Sequence, residues 1–406
     1  MSSASSTKDI DSEQEAENSA NENLDFFAKH VSIRERFHHF TWAWFTMTMS
    51  TGGISNLLGA QPHSFSGLRT IGAVVFIVFI VMLAFNCSMI TFRFISLRKS
   101  LQKSLTHPTE SLFFACSWLS FAVLLLNMQN YGVPSCGEWL IVTLRVLFWA
   151  YVALTFIVAV AQYFILFQGG KNGKHMTLHS MTPAWILPVF PNMLAGTIAS
   201  SIGSSQPPAY RFPILVAGVA CQGLGFLISL IMTGLFLYRL MVNGLPHPRL
   251  RPGIFMAVGP PSFTSLAFIG MANNLPREYT YFVKDAIAVD VLQTLALVIS
   301  VSLWFFGFFF FCIAVVACMA KASEMSFSLV YWAFIFPNTG FTMATIEIGN
   351  QLESEGIRWV ATAMTILLVV VWVCNIIMQI RAIIYRRMLW PGEDEDRDVL
   401  RPSKDE

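Results

Sequence analysis

Two short stretches carry residues whose types and spacing could bind an anion. Residues 189–203 read VFPNMLAGTIASSIG, and residues 331–349 read YWAFIFPNTGFTMATIEIG. Each stretch places a proline inside an apolar run, after a phenylalanine and before an asparagine. A proline within a helix removes a backbone donor and leaves a carbonyl unpaired, so each helix is predicted to break there. The new helix that starts after a break offers free N–H groups and a partial positive charge, which attract carboxylate or phosphate groups.

The two stretches also match each other. Phe190, Pro191 and Asn192 align without a gap on Phe336, Pro337 and Asn338, and an Ile-Gly pair follows at the same distance in both. This match predicts an internal repeat around a polar central path. We call each such break a corner, and two further corners are predicted at 50–53 and 259–261. The hydroxyl and amide side chains near these four corners are predicted to contact substrate: Ser50, Thr51, Asn192, Ser262, Thr264, Asn338 and Thr339.

The composition identifies the class of protein that must position these corners. Of the 406 residues, 55% are hydrophobic and 12% are charged, about half the charged share of a soluble domain. We therefore predict an all-α membrane protein with a transport domain at 32–388, a disordered N-terminal tail at 1–31 and a C-terminal tail at 389–406. Ten apolar spans are predicted, at about 40–60, 70–92, 111–131, 138–166, 182–203, 212–239, 252–272, 286–319, 326–349 and 358–385.

Basic residues predict how these spans are oriented. With both termini in the cytoplasm, fifteen Lys and Arg residues near the membrane fall on the inner side and five on the outer side. An excess of basic residues marks the cytoplasmic side of a membrane. The opposite orientation would reverse this bias, so we predict that both termini are cytoplasmic.

Odd and even spans differ in composition. Four odd spans carry corners or small residues, at 50–53, 188–191, 259–261 and 337–340, whereas the even spans are nearly continuous Val, Ile, Leu and Phe. This pattern predicts five hairpins, with the odd helices forming an inner ring around a central pore and the even helices facing lipid. The alternative is that Gly and Pro serve only tight helix packing.

Few titratable groups fall inside the spans. Arg145 could attract anions or could serve helix packing, and Glu347 could couple transport to protons or could lie in water at the mouth. The segment 106–111 (THPTES) is predicted to cap the third span through its threonines. No disulfide framework or metal-ligand spacing is visible, so no metal or cofactor is predicted.

Several longer motifs resemble one family. The segments FTWAWFTMTMSTGG (40–53), LTHPTES (105–111), ILPVFPNMLAGT (186–197), LRPGIFMAVGPPSFTSLAFIGMA (250–272) and YWAFIFPNTGF (331–341) are similar to those of fungal malic acid, or C4-dicarboxylate, transporters. These belong to the tellurite-resistance/dicarboxylate transporter family, which includes plant slow anion channels. The resemblance implies ten helices in five hairpins, a homotrimer with one pore per subunit, and a phenylalanine on the ninth helix that closes the pore.

The implied pore gate maps onto Phe336, with Phe334 as the alternative and with Phe190 at the matching place in the repeat. A bulky side chain without hydrogen-bonding groups blocks a narrow pore and keeps water out.

The predicted function is therefore transport of malate, succinate, fumarate or similar dicarboxylates across the plasma membrane. The alternative is a channel or efflux protein for sulfite, nitrate or chloride. An enzyme is disfavoured by the lack of paired carboxylates or a nucleophile motif, a receptor is disfavoured by ten spans with repeated breaks, and no nucleic-acid partner is predicted.

Overall fold

The structure is a computed structural model, and it describes residues 33–97, 100–168, 176–284 and 287–389. The predicted N-terminal tail and nearly all of the predicted C-terminal tail lie outside these residues, so the domain boundaries stay predictions. The described residues form helices and loops without any strand. This agrees with the predicted all-α class.

Ten helices of 14 or more residues account for most of the described chain. We label them in chain order: α1 Phe45–Gly59, α2 Leu68–Ser96, α3 Glu110–Asn127, α4 Glu138–Phe167, α5 Phe190–Gly203, α6 Pro208–Asn243, α7 Gly259–Asn273, α8 Ala288–Met319, α9 Phe336–Gln351 and α10 Glu355–Ile384. Shorter α-helices lie at Ile33–His38, Ser100–Thr106, Val133–Cys136 and Thr280–Val283. The 3₁₀ segments are Trp42–Trp44, Leu178–Ser180, Pro183–Ile186, Pro248–Val258, Ala322–Glu324 and Leu329–Phe334, and one π-helical turn is Met128–Gly132.

Seven helical stretches in the described residues are long and apolar enough to cross a membrane. They comprise α2, α4, α6, α8 and α10, together with α3 and α7 when their flanking turns are counted. The other three helices, α1, α5 and α9, have 15, 14 and 16 residues. Each of them is short because the α-helix begins only after a 3₁₀ segment.

The odd-numbered helices pack against one another in a closed order. α1 contacts α3, α3 contacts α5, α5 contacts α7, α7 contacts α9, and α9 returns to α1. Each even-numbered helix packs on the outside of one or two of them. Burial follows this arrangement. In the most apolar 18-residue stretches that include α3 and α7, 72% and 83% of the residues are buried, against 22 to 33% in those of the even-numbered helices.

Three of the predicted breaks are confirmed as helix starts. α5 begins at Phe190 next to Pro191, α7 begins at Gly259 before two prolines, and α9 begins at Phe336 next to Pro337. Proline is well placed in the first turn of a helix, because the N–H groups there have no intrahelical partner. The proline corners therefore end one segment and start the next.

The break predicted at 50–53 is wrong, because α1 runs without interruption through these residues. Its glycines serve close packing instead. A Cβ on Gly52 would lie 2.5 Å from Val123 Cγ1 of α3, and a Cβ on Gly53 would lie 3.0 Å from Thr339 Oγ1 of α9. Small residues let helices approach closely in membranes, so here the packing alternative holds.

Isolated polar side chains satisfy carbonyls that the broken segments leave free. Asn375 of α10 donates to the Tyr331 carbonyl at 3.1 Å, and Tyr163 of α4 donates to the Trp185 carbonyl at 3.0 Å. Asn86 of α2 likewise donates to the carbonyl of Trp44 at 3.1 Å. Unpaired carbonyls are costly in hydrocarbon. The outer helices thus supply the hydrogen bonds that the broken segments require.

A buried ion pair joins the end of α2 to the start of α3. Arg93 donates to both carboxylate oxygens of Glu110, and both side chains are 0% exposed. Arg93 also donates to the carbonyl of Phe40 at 3.0 Å. Arg93 is one of the fifteen basic residues counted on the inner side, which were taken to lie in loops, so its burial between helices is a correction. Thr109 is the N-cap residue of α3, as this segment predicts, but its side chain makes no capping hydrogen bond. His107 Nδ1 instead accepts from the N–H groups of Thr109 and Glu110.

We expect Glu110→Gln to lower the thermal unfolding temperature of the purified protein strongly. Leaving Arg93 buried without its anionic partner should cost about 3–5 kcal/mol. The double variant Arg93→Met/Glu110→Leu should regain much of that loss, because it removes both charges. The control is the exposed pair Arg277–Asp290, whose replacement by Arg277→Gln/Asp290→Asn should change little. Equal melting temperatures for all of these variants would contradict the assignment.

Candidate functional site

Three phenylalanine rings meet where the inner helices converge. The centroid of Phe336 lies 6.1 Å from that of Phe190 and 5.2 Å from that of Phe263, and Phe190 lies 5.8 Å from Phe263. Phe336 is 1% exposed, Phe190 is 4% exposed and Phe263 is 3% exposed. We call these residues the phenylalanine cluster. It presents only apolar surface at the point where α5, α7 and α9 meet.

The helix starts place these rings at one depth. Phe190 and Phe336 are the first residues of α5 and α9, and Phe263 lies one turn into α7. Glycines make room for the rings. A Cβ on Gly340 would lie 2.6 Å from the Phe263 ring, and a Cβ on Gly259 would lie 3.0 Å from the Phe190 ring. Any larger residue at Gly340 would push against Phe263.

A small cavity adjoins the phenylalanine cluster on the side where the inner helices begin. Its lining includes side chains from the starts of α1, α3, α5 and α9 and from the segments before them: Thr46, Met49, Cys116, Pro183, Ile186, Leu187, Phe190, Met256, Leu329, Ala333, Phe336 and Pro337. The volume open to the centre of a water molecule is about 20 Å³. That is room for roughly one water, far less than a dicarboxylate needs.

Phe334 lies apart from the phenylalanine cluster. Its ring packs on Phe255 at 5.1 Å and on Tyr331 at 5.6 Å, in a second apolar cluster toward α8. The two gate residues predicted on the ninth span thus occupy different surroundings. Phe336 contacts Phe190, as the repeat predicts. Phe334, two residues earlier, packs on Phe255 and Tyr331 instead.

The corner hydroxyls bind backbone carbonyls. Ser50 donates to the Trp332 carbonyl at 3.3 Å, which connects α1 to the segment before α9. Four others donate to carbonyls of their own helix or of the residue just before it: Thr51 to Met47, Ser262 to Val258, Thr264 to Pro260 and Thr339 to Phe336. Their predicted contact with substrate stays a prediction.

The corner amides lie on the outward side of the ring. Asn192 Nδ2 is 3.5 Å from Thr155 Oγ1 of α4 and 3.7 Å from Cys221 Sγ of α6. Asn338 follows Phe336 by two residues, about 200° around the helix, and donates to the Phe334 carbonyl at 2.9 Å. Both amides are therefore directed away from the phenylalanine cluster, and their binding of substrate likewise stays a prediction.

Two residues of this centre were missed by the sequence analysis. Phe263 follows its proline pair, whereas Phe190 and Phe336 precede theirs, so the repeat does not reveal it. Thr197 lies seven residues after Phe190, on the same face of α5, and its buried hydroxyl has no hydrogen-bond partner among the described residues. An unpaired buried hydroxyl is costly, but the repeat gives no signal for Thr197, because it pairs this position with Met343.

Among the described residues, no charged side chain lines the cavity beside the phenylalanine cluster. Arg145 of α4 stacks on the Tyr210 ring of α6, with its guanidinium carbon 3.7 Å from the ring centroid. This contact between two outer helices favours the packing role. Glu347 lies near the other end of α9 and is half-buried. No cluster of metal ligands occurs in the described part of the chain.

Comparison with known protein families identifies the family of this chain. The family described as "SLAC1: Voltage-dependent anion channel" matches residues 39–380. The chain belongs to this family. The matched region contains all ten long helices except the last few residues of α10.

Individual relatives narrow this class and confirm the resemblance to fungal malate transporters. The malic acid transport protein of Schizosaccharomyces pombe is 34% identical over 91% of this chain and 84% of its own length. The sulfite efflux pump SSU1 of Trichophyton rubrum is 23% identical over 82% of this chain and 88% of its own. The S-type anion channel SLAH2 of Arabidopsis thaliana is 22% identical over 68% and 45%. The chain is thus a multi-pass membrane protein of a family of anion transporters and channels rather than of enzymes.

The position of Cys116 gives a test of the closed path. Its thiol lines the cavity beside the phenylalanine cluster. We expect a charged thiol reagent to leave Cys116 unlabelled when it is applied from the side where α5 and α9 end. Phe336→Ala should allow labelling from that side, because it opens the closure. The measurement is the extent of labelling in a protein whose other six cysteines are replaced by Ala, and equal labelling with and without Phe336 would contradict a closure there.

Proposed function

We propose that this protein transports C4-dicarboxylates such as malate, succinate or fumarate through the centre of its ring of odd-numbered helices. The observation that supports this proposal is the phenylalanine cluster, in which rings from the starts of α5 and α9 meet a ring of α7. Similarity to the malic acid transport protein of Schizosaccharomyces pombe supports malate as the substrate. The helices are proposed to be five membrane-spanning hairpins with all ten crossing the bilayer.

Anion selectivity follows from what surrounds the path. The starts of α5, α7 and α9 lie close together, since a Cβ on Gly259 would lie 3.0 Å from the Phe190 ring and 3.7 Å from Pro337, and helix N-termini carry a partial positive charge. The residues lining the cavity beside the phenylalanine cluster include no carboxylate. An anion therefore meets attraction from three helix ends, while a cation meets no compensating charge.

The proposal also covers the cellular setting. The excess of basic residues on one side supports cytoplasmic termini, although Arg93 and Arg251 are buried and bind carbonyls. We place the protein in the plasma membrane as a homotrimer with one pore per subunit, as the family resemblance implies.

Removing the Phe336 ring tests the gate. We expect Phe336→Ala to raise malate flux per molecule severalfold, because it deletes the ring that contacts both Phe190 and Phe263. A core phenylalanine without a gating role should instead cost roughly 3–5 kcal/mol of stability and yield less folded protein. The measurement is labelled malate uptake normalised to surface protein.

Phe334→Ala is the matched control, since it removes the same ring two residues earlier, outside the phenylalanine cluster. Its flux per molecule should stay near that of the parent. Enhanced flux in Phe334→Ala together with inactive Phe336→Ala would move the gate to Phe334 and contradict the assignment.

A second candidate function is transport of small inorganic anions. It is favoured by the small volume beside the phenylalanine cluster and by similarity to a sulfite efflux pump. Competition separates the candidates. We expect unlabelled malate to suppress labelled malate uptake far more than equal sulfite or chloride does. Stronger suppression by sulfite would favour the second candidate.

A further inference from the structure

Glu347 is the titratable carboxylate that α9 carries beyond its proline corner. It lies eleven residues after Phe336, about 16 Å further along the helix axis. Ionisable side chains at membrane depth are costly and usually serve function. Its side chain is half-buried, and no hydrogen bond or ion pair to it occurs among the described residues.

The contacts of α9 show which way Glu347 points. At 100° per residue, Phe336, Gly340, Met343 and Glu347 lie within about 60° of one another. Gly340 faces the Phe263 ring of α7, and Met343 Sδ is 3.7 Å from Asn56 Nδ2 of α1. Since α1 and α7 flank α9 in the ring, this face of α9 looks into the centre.

The opposite faces of α9 are already occupied by outer helices. Thr345 accepts a hydrogen bond from Trp304 Nε1 of α8 at 2.8 Å. Gly349 approaches Ile357 and the Arg358 backbone of α10, where an added Cβ would come within 3.1 Å. Thr345 and Gly349 each lie two residues from Glu347, about 200° around the helix. Glu347 is therefore directed to the path and away from both outer helices.

Other charged groups near this end have partners of their own. On α8, Asp290 pairs with Arg277, and on α10, Glu355 pairs with Arg358 and His63. The helices α1 and α7, which face Glu347 across the ring, contain no titratable side chain. Arg69 and Arg211, at the starts of α2 and α6, donate to backbone carbonyls, and no ion pair joins Glu347 to a cation among the described residues.

We propose that Glu347 is a protonation-dependent charge filter in the path, on the far side of the phenylalanine cluster from the cavity. Ionised Glu347 repels an approaching anion, and a dianion more strongly than a monoanion. Protonation removes this barrier, so acidic conditions on that side favour entry. The proposal rests on the proposed function, because it assumes that the substrate is an anion crossing this ring.

The experiment compares labelled malate flux through the parent and Glu347→Gln over a range of pH. Malate ionises identically in both assays, so the ratio of the two fluxes reports on residue 347. A unit charge several ångströms from the passing anion should change flux by roughly threefold to tenfold. We expect Glu347→Gln to exceed the parent by that factor near about pH 7.5 and to approach it as the pH falls toward about 4, where carboxyl groups become protonated.

Two further variants keep the test decisive. Glu353→Gln removes an exposed carboxylate just after α9, outside the ring, and should leave the pH profile of the parent unchanged. Glu347→Ser introduces the residue that the repeat places at Ser201 of α5 and should behave like Glu347→Gln, which provides a second variant if the first folds poorly.

The outcomes separate the two proposals. Parallel pH profiles for the parent, Glu347→Gln and Glu347→Ser would overturn the charge filter while leaving malate transport intact. A parent that carries no malate at any pH would overturn the proposed function instead.

Discussion

The backbone polar groups at the broken inner segments constrain the rest of this fold. A membrane cannot hydrate them, so neighbouring helices must supply partners. Asn86, Tyr163 and Asn375 on α2, α4 and α10 each donate to a carbonyl in or next to such a segment. Ser50 on α1 does the same for the segment before α9. These isolated polar side chains explain why nearly continuous apolar helices are not wholly apolar. They also hold the starts of the inner helices at one depth, and without them the phenylalanine rings would have no fixed meeting place.

Proline made much of this arrangement predictable, whereas glycine did not. A proline has a fixed backbone consequence, so the corners at Pro191 and Pro337 could be placed to within a residue. Glycine serves two purposes, since it can loosen a helix or let two helices touch. Gly52 and Gly53 were read as a break, yet their neighbours on α3 and α9 lie too close for a side chain. Only the tertiary contacts distinguish these purposes, because they involve residues far away in the sequence.

The contacts of Arg93 and Phe263 likewise could not be predicted from the local sequence. Arg93 sits at the end of an apolar span, where a surface cation and a buried ion pair have the same local sequence. Its partner Glu110 lies seventeen residues away across a turn, so the pair appears only when α2 and α3 are placed together. Phe263 was missed for a related reason. Its ring reaches the centre from the second turn of α7, whereas the repeat marks only rings that precede a proline. Phe190 and Phe336 were predictable because both begin their helices.

The three rings also constrain how the path can open. Each ring contacts the other two, so Phe336 cannot leave the centre without losing its contacts with both Phe190 and Phe263. Space for such a movement comes from positions that lack a side chain. The Cβ position of Gly53 is 3.6 Å from the Phe336 ring, and that of Gly340 is 2.6 Å from the Phe263 ring. Since Gly53 belongs to α1 and Gly340 to α9, the rings are bounded by two helices besides those of Phe190 and Phe263. Opening is then a joint property of α1, α5, α7 and α9, and each proline at the starts of α5, α7 and α9 removes one backbone donor that would otherwise resist it.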